Sequence, residues 1–308
     1  MVTVGSVFSG AGGLDLGFKR AGYDMRWANE LDPNACRTFR RNLAETELFE
    51  KSVEVLLKRE VPKVDVLIGG WPCKKYSAIA DIHGTRTGDA LWLSFFRLAI
   101  ILDVEAFVWE NVPGILAPDF EVVLEAFREL PDRYTTVLKN FCPTELGWPQ
   151  KRPRVFCIGV KKPFTFQRPV AAIAETRNVG DLLEAKPKVE IPDYFYSRLA
   201  GAWRDKPIVT KRDGIAPTCV AHYSKDRSTR AVEDPAYPHG CRPYSVREYA
   251  RLQGFPDDFE FPVADFYAYE EIGNAVNVRV SEAIGGEVMR YFKTNVEAEP
   301  ETIYGGAA

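Results

Sequence analysis

The length, composition and charge of the chain exclude several classes of protein. Its 308 residues, 46% of them hydrophobic, suffice for one large domain or two smaller ones around a sizeable core. No apolar run is long enough to span a membrane, and no basic segment precedes an apolar one at the N-terminus, which predicts a soluble cytoplasmic protein. Six cysteines without a CxxC pair and only three histidines argue against a zinc site or a disulfide framework, so we expect no metal. With a net charge of −3, an enzyme acting on nucleic acid must gather its positive charge on one face.

A strand, a glycine-rich turn and a helix open the chain. Residues 2–8 alternate as a short strand, Ser9–Gly13 form the turn, and the apolar spacing from Leu14 to Phe18 predicts the helix. The glycines do not fit the GxGxxG pattern, so on them alone an ordinary tight turn explains them as well as a nucleotide-binding turn. Glu30 favours the nucleotide, because an acid about 20 residues after such a turn can accept hydrogen bonds from a ribose diol.

A second glycine turn carries a cysteine. The apolar run Val64–Ile68 predicts a buried strand, which leads into Gly69-Gly70-Trp71-Pro72-Cys73-Lys74. Ligands of α/β folds bind at the carboxyl ends of strands, and a neighbouring lysine favours the thiolate form of a cysteine. Cys73 is therefore a candidate nucleophile, with an ordinary buried thiol as the alternative. The polar residues 79–88 predict a loop beside it.

The next strand brings an acid to the same edge of the predicted sheet. A helix is predicted from Ala90 to Leu102, and the run Ala106–Trp109 then predicts a strand that ends at Glu110. This glutamate is either a structural salt-bridge partner or a general acid. Its position opposite Cys73 favours general acid chemistry.

The second half of the chain has a different texture. A helix over 119–130 and two strands over 134–141 and 154–160 are predicted first. Residues 160 to about 265 are rich in proline, and their lysines and arginines outnumber the acids, which predicts a smaller irregular domain with a basic face. Ser245 is suited to cap a helix, and Gly273-Asn274-Ala275-Val276 is predicted to open the last helix.

Five segments stand in an order that resembles the DNA cytosine-5 methyltransferases over nearly the whole chain. They are Phe8–Leu14, Pro72-Cys73, Glu110-Asn111-Val112, Gln150-x-Arg152-x-Arg154, and Arg247-Glu248 through Gly254-Phe255-Pro256 with Gly273–Val276. The resemblance implies an α/β fold, a doubly wound Rossmann-like domain that depends on S-adenosylmethionine, formed by residues 1–163 and 269–308. A small irregular target-recognition domain, residues 164–268, would lie between those two parts.

The resemblance also implies a reaction, the transfer of a methyl group from S-adenosylmethionine to carbon 5 of cytosine in double-stranded DNA. The Cys73 thiolate would add to carbon 6 of a flipped-out base, because carbon 5 becomes nucleophilic only then. Glu110 would hold or protonate ring nitrogen 3. Arg154 with Arg152 would bind the base carbonyl or a phosphate, and structural ion pairs are the alternative.

Cofactor and DNA contacts follow from the same resemblance. The cofactor side would comprise Phe8, Ser9, Gly10, Gly12, Gly13, Leu14, Glu30, Leu31, Ser52, Val53, Gly70, Pro72, Lys74, Asn274, Ala275 and Val276. DNA would be contacted by Ser77, Gln150 and Arg242. We expect a monomer in the cytoplasm, associated with the nucleoid, whose partner is duplex DNA, with a cognate restriction endonuclease as a possible companion.

The chain departs from the family pattern near the cofactor. Lys74 stands where glutamine is usual, Leu31 where a tryptophan is common, and Ser52 or Val53 where an aspartate is expected. Two cations about 4 Å apart repel by roughly 4 kcal/mol at an effective dielectric near 20, so Lys74 facing a sulfonium would favour a carboxylated donor. Carboxy-S-adenosylmethionine giving 5-carboxymethylcytosine is thus one hypothesis. In the alternative, Lys74 faces a DNA phosphate or favours the Cys73 thiolate.

Two other functions stay open on the sequence. The same motifs fit a tRNA cytosine methyltransferase. A non-catalytic DNA-binding relative is the other alternative, but the presence of Cys73, Glu110 and Arg154 argues against it.

Overall fold

A computed structural model describes residues 1–72, 91–129, 134–169, 176–200 and 209–295. The first half of the chain alternates strands and helices, as the spacing of its apolar residues predicts. Its elements are β1 (Thr3–Val7), α1 (Gly13–Arg20), β2 (Asp24–Glu30), α2 (Pro33–Asn42), β3 (Glu47–Glu50), β4 (Val66–Gly69), α3 (Leu91–Leu102), β5 (Ala106–Asn111), α4 (Glu121–Arg128), β6 (Thr135–Phe141), β7 (Gln150–Lys151) and β8 (Arg154–Val160).

Seven of these strands form one sheet in the order β3-β2-β1-β4-β5-β8-β6. The first five run parallel, and β8 is antiparallel to both of its neighbours. This confirms the predicted doubly wound α/β fold. The strand order reverses between β1 and β4, and such a switch point is where open α/β sheets bind ligands.

Apolar side chains cover both faces of the sheet. One face buries the aromatic group Trp71, Phe95, Phe107, Trp109 and Phe127. The other face is covered by α1 and by the last helix. Gly17 lets these two helices touch, because a Cβ there would collide with Ser281, whose hydroxyl donates to the carbonyl of Leu14 at 2.5 Å.

The second half is irregular, as its composition predicts. Its elements are α5 (Tyr194–Ala200), β9 (Val209–Thr210), β10 (Ala216–Pro217), β11 (Ala231–Glu233), β12 (Cys241–Arg242), α6 (Val246–Leu252), α7 (Asp265–Asn274) and α8 (Val278–Asn295). It has its own apolar cluster, built around Tyr223, Tyr249 and Tyr269. Ser245 caps α6 as predicted, since its hydroxyl accepts from the amide of Glu248 at 3.1 Å.

The prediction that Gly273 opens the last helix is wrong. Gly273 lies near the end of α7, and the chain is extended at Ala275 before α8 begins at Val278. Asn277 explains the break, because its side-chain oxygen accepts from the amide of Arg279 at 3.1 Å and so caps α8. In the part of the chain that the structure describes, no helix is long and apolar enough to cross a membrane, and no group of side chains could hold a metal ion.

Candidate active site

The carboxyl ends of β1, β4 and β5 meet at one edge of the sheet. Gly69, the last residue of β4, pairs with Val7 on one side and with Trp109 on the other. Beyond it Gly70 is half-buried, Trp71 is buried and Pro72 is exposed. The chain thus reaches the switch point one residue before the predicted nucleophile. Cys73 itself, together with Lys74 and Ser77, lies outside the described residues.

The predicted acid lies directly over this turn. A Cβ added to Gly70 would stand 3.2 Å from the carboxylate oxygen Oε2 of Glu110. The other oxygen, Oε1, is 3.0 Å from Nε of Arg154, and the two side chains are only 12% and 14% exposed. Sequence analysis placed Glu110 and Arg154 in the same site, and the structure brings them into contact.

Two opposing effects set the charge of Glu110. Burial raises the pKa of this carboxyl, and the cations of Arg154 and Arg152 oppose that rise, with burial the larger effect. The pKa of Glu110 therefore lies above its usual range. A carboxyl of this kind, fixed by a guanidinium, can share or donate a proton to a base nitrogen.

Asn111 holds the turn against β5. Its side-chain nitrogen donates to the carbonyl of Trp71 at 3.3 Å, and its oxygen accepts from the amide of Val112 at 2.9 Å. The side chain is 1% exposed, so neither bond competes with water. Asn111 belongs to one of the quoted motifs, but no role was predicted for it. Its position as a polar residue at the end of a buried strand could have indicated one.

Glu30 closes the first glycine turn. Its Oε2 accepts from the amide of Gly10 at 2.7 Å, and its Oε1 accepts from the amides of Leu31 and Asp32 at 2.7 and 2.8 Å. The two amides fill the lone-pair positions of Oε1, whereas Oε2 keeps acceptor capacity for a further donor. The turn needs left-handed backbone at Phe8, Gly10 and Gly12, with φ of 57°, 56° and 92°.

This edge fits an adenosyl group carrying a ribose diol. The free acceptor position on Oε2 of Glu30 matches a hydroxyl donor, and Leu31, 64% exposed, offers an apolar surface beside it. A Cβ on Gly10 would meet no atom within 4 Å, so the turn is open on that side. Ser9 is buried, and its amide donates to the carbonyl of Asn29. Leu14 lies on the buried face of α1.

Two further predicted cofactor segments lie beside the turn. A Cβ on Gly13 would come within 2.5 Å of the Val276 carbonyl and 3.1 Å of the Ala275 Cβ, so only glycine admits this packing. Asn274 is exposed next to them.

The remaining predicted segment, Ser52-Val53, is tied to the end of β2. The side-chain nitrogen of Asn29 donates to the carbonyls of Phe49 and Lys51 at 2.9 and 2.7 Å. The Ser52 hydroxyl accepts from the amide of Glu54 at 3.3 Å, and Val53 is buried.

The structure corrects the predictions for three polar residues. Gln150 is 0% exposed and bonds to Leu252 and Gln253, and Arg242 is 0% exposed between Asp234 and Glu248. Neither side chain can reach DNA. Arg152 is 3% exposed, and its terminal nitrogens donate to main-chain carbonyls, so its predicted contact with a base or phosphate is also withdrawn.

Asp15, which sequence analysis did not select, is an unusual carboxyl beneath the first turn. It is 0% exposed, and among the described residues neither oxygen has a partner of normal hydrogen-bond geometry. Burial raises the pKa of Asp15 to about 7, although the nearby hydroxyls of Ser6 and Ser9 oppose the rise. Its place in the first turn of an apolar helix gave no signal of this.

Comparison with known proteins finds similar sequences along the chain. The sequence model of the C-5 cytosine-specific DNA methylase family matches residues 2–290. Type II methyltransferase M.MthTI of Methanothermobacter thermautotrophicus is 31% identical, with 93% of this chain and 97% of that protein covered. Type II methyltransferase M.NlaX of Neisseria lactamica is 30% identical, with 94% and 96% covered.

Solved structures share the fold. The Entamoeba histolytica methyltransferase EhMeth superposes with a TM-score of 0.76 at 16% identity, over 96% of this chain and 99% of that one. The Dnmt2 methyltransferase of S. pombe gives a TM-score of 0.75 at 17% identity, over 94% and 99%. At these identities the likeness speaks for the fold alone.

Proposed function

The chain belongs to the C-5 cytosine-specific DNA methylase family, and from that premise we propose that it methylates carbon 5 of cytosine in double-stranded DNA, with S-adenosylmethionine as the methyl donor. The observation that carries the proposal is the Glu110–Arg154 pair, held at 3.0 Å beside the turn that leads to Cys73. The acid and the cation of this pair, with the thiol of Cys73 that follows the turn in the sequence, are the groups that this chemistry needs.

Each residue has a role that follows from its chemistry. The Cys73 thiolate adds to carbon 6 of a cytosine extruded from the duplex, and the ring then becomes nucleophilic at carbon 5. Glu110 shares its proton with ring nitrogen 3 or donates it there. This proton offsets the negative charge that develops on the base when the thiolate adds. Arg154 keeps the carboxyl in place and offers its remaining donors to the base carbonyl. Once carbon 5 has taken the methyl group, with S-adenosylhomocysteine as the leaving group, loss of the carbon 5 proton to water and elimination of the thiolate would restore the aromatic ring, and nitrogen 3 would return its proton to Glu110.

The cofactor side is assigned by the same reasoning. S-adenosylmethionine supplies an electrophilic methyl group on a sulfonium. Glu30 would accept from a ribose hydroxyl, the Phe8–Gly13 turn would hold the cofactor, and the Ala275-Val276 segment would close the pocket. Gly70 and Pro72 would keep the main chain close to the methyl end of the cofactor.

The identity of the donor is a finer proposal. We propose that Lys74, in place of the usual glutamine, lets the enzyme also use carboxy-S-adenosylmethionine and leave 5-carboxymethylcytosine. Attraction between an ammonium and a carboxylate on the transferred carbon supports this, whereas two adjacent cations would repel. A lysine turned toward a DNA phosphate is the competing arrangement.

Two experiments test these assignments. Duplex DNA containing 5-fluorocytosine should trap a covalent adduct with the enzyme, which Cys73→Ala should abolish. Absence of the adduct with the wild-type chain would refute the proposed reaction. Mass spectrometry of nucleosides from DNA incubated with each donor then separates the products. If only 5-methylcytosine forms with the carboxylated donor in excess, the second donor is excluded.

Substrate class and partners are tested separately. A tRNA transcript competing with duplex DNA for labelled cofactor would reveal the alternative tRNA activity. We further propose that the protein is a monomer that acts in the cytoplasm on nucleoid DNA. We also propose a cognate endonuclease as its companion, since the similar proteins are named type II methyltransferases. Bisulfite mapping of DNA from expressing cells would give the modified site, and an endonuclease cutting that site only when it is unmodified would be the companion.

A further inference from the structure

One buried guanidinium joins three separate pieces of the chain. Nη1 of Arg152 donates to the carbonyl of Cys219 at 2.5 Å, and Nη2 donates to those of Gly273 and Ala275 at 2.9 and 2.8 Å. Burial and the neighbouring Arg154 lower the pKa of Arg152 to about 10, so it keeps its charge at neutral pH. Among the described residues, the hydrogen bonds of its side chain all go to main-chain carbonyls and none goes to a carboxylate.

Two glutamines extend this arrangement. Gln150 donates to the carbonyl of Leu252 at 2.7 Å and, with its oxygen, accepts from the amide of Cys219 at 3.4 Å. Gln253 donates to the carbonyls of Ile272 and Ala275 at 2.7 and 3.0 Å. Both glutamines are 0% exposed, so the bonds are made away from water. We call Gln150, Arg152 and Gln253 the carbonyl clamp.

The clamp touches both sides of the proposed active site. Ala275 lies against Gly13 of the first glycine turn, on the proposed cofactor side. Cys219 belongs to the irregular half of the chain, which we expect to read DNA. Two residues beyond Arg152, Arg154 holds the acid Glu110. Arg152 is thus bonded both to the proposed cofactor side and to a segment of the half that we expect to read DNA.

We infer that Arg152 is a positioning residue that couples cofactor binding to DNA binding, an inference that rests on the proposed function. A ligand that orders the Gly273–Ala275 turn also fixes the guanidinium and, through it, Cys219. The second ligand then meets a segment that is already ordered and binds more tightly. By thermodynamic linkage, DNA raises cofactor affinity by the same factor.

Arginine is needed at this position for a geometric reason. Its planar fork can meet carbonyls that lie on two sides at once, whereas the ammonium of lysine is a single point on a flexible stem. Arg152→Lys keeps the charge but cannot span Cys219 and Ala275 together. The substitution therefore removes the link without removing the cation.

The test measures a ratio of affinities and not activity. The dissociation constant of S-adenosylhomocysteine is measured with and without a duplex carrying the mapped site, in the wild-type chain and in Arg152→Lys. We expect a wild-type ratio of about 10 that falls toward 1 in the variant. A purely structural role would lower the melting temperature, and even both affinities, while leaving the ratio unchanged. An unchanged ratio would overturn the inference.

Arg247→Lys is the matched control. Arg247 also donates to two main-chain carbonyls, those of Pro256 and Phe259 at 3.0 and 2.8 Å, but it has no bond to the Gly273–Ala275 turn. We expect a comparable loss of stability with the wild-type ratio kept. An equal fall in the ratio would mean that general loosening is the cause and would refute the coupling.

Hydrogen exchange on the wild-type chain covers the case in which Arg152→Lys does not fold. S-adenosylhomocysteine alone should slow exchange of the amides of Cys219 and Val220, which bond to Gln150 and Tyr249. Unchanged exchange there, with slower exchange at the glycine turn, would contradict the coupling. Failure of the wild-type chain to form the 5-fluorocytosine adduct would instead reject the proposed function.

Discussion

Asp15→Asn should remove a pH dependence of folding stability that arises beneath the first glycine turn. Burial raises the pKa of Asp15 from 3.8 to about 7, and its carboxyl is 0% exposed, so solvent screening does not reduce the effect. The pKa in the folded state lies above that of the unfolded chain. The contribution of Asp15 to stability is therefore complete below about pH 3.8 and is lost as the pH rises through about 7.

The size of this effect follows from the shift. A difference of roughly three pKa units corresponds to about 4 kcal/mol for the complete change, at about 1.4 kcal/mol for each unit. Part of the change occurs below pH 5, so about 2.5 kcal/mol is expected between pH 5 and pH 8. Asparagine keeps the shape of the side chain but cannot ionise. The wild-type chain should thus lose about 2.5 kcal/mol relative to Asp15→Asn over that interval.

Urea denaturation of both chains at several pH values between 5 and 8 measures the difference. Comparing the change with pH in each chain cancels the fixed cost of burying an amide instead of an acid. Asp213→Asn, at an exposed position, is the control and should follow the wild-type curve. Parallel wild-type and Asp15→Asn curves over the whole interval would refute the assignment of an ionising carboxyl at this position.

Three other substitutions probe the site and its frame. Glu110→Gln should lower the rate of methyl transfer by about 10²- to 10⁴-fold. Because burial raises the pKa of Glu110, the wild-type rate should fall on the basic side and Glu110→Gln should lose that fall; single-turnover rates of the variant that keep it would show that another group is the acid. Gly13→Ala should destabilise the fold by about 1–3 kcal/mol and weaken cofactor binding, because its Cβ would lie 2.5 Å from the Val276 carbonyl, and calorimetry showing wild-type affinity would contradict that packing. Glu248→Ala should cost about 3–5 kcal/mol of stability, because among the described residues it leaves buried Arg242 with only Asp234 as a charged partner. A melting temperature near that of the wild type would disprove this.

The sequence predicted the catalytic edge because parallel strands end on the same side of a sheet. Glu110 and the Gly70 turn follow adjacent strands, so the rule brought them together without any knowledge of side-chain packing. Glu30 was predicted in the same way, from its distance along the chain after the glycine turn. These inferences needed only local patterns and one topological rule.

Arg152, Arg242 and Gln150 were harder to place, because a polar residue in an irregular segment gives no sign of the face it occupies. The partners of Arg152 lie far along the chain at Cys219, Gly273 and Ala275. Arg242 was predicted to contact DNA, yet it is bonded to the carboxylate of Glu248 in the first turn of α6. The break before α8 was the exception, since Asn277 is a common capping residue that could have been read as one.

The packing of α8 against α1 has a consequence for how this chain can be cut and rejoined. The hydroxyl of Ser281 reaches the carbonyl of Leu14, so the first helix and the last helix of the described residues are spatial neighbours. A circular permutant that begins with α8, continues through a linker into β1 and ends in the irregular half would contain the same elements in a different order. Such a circular permutant should keep the edge where β1, β4 and β5 meet, because nothing at that edge depends on where translation starts.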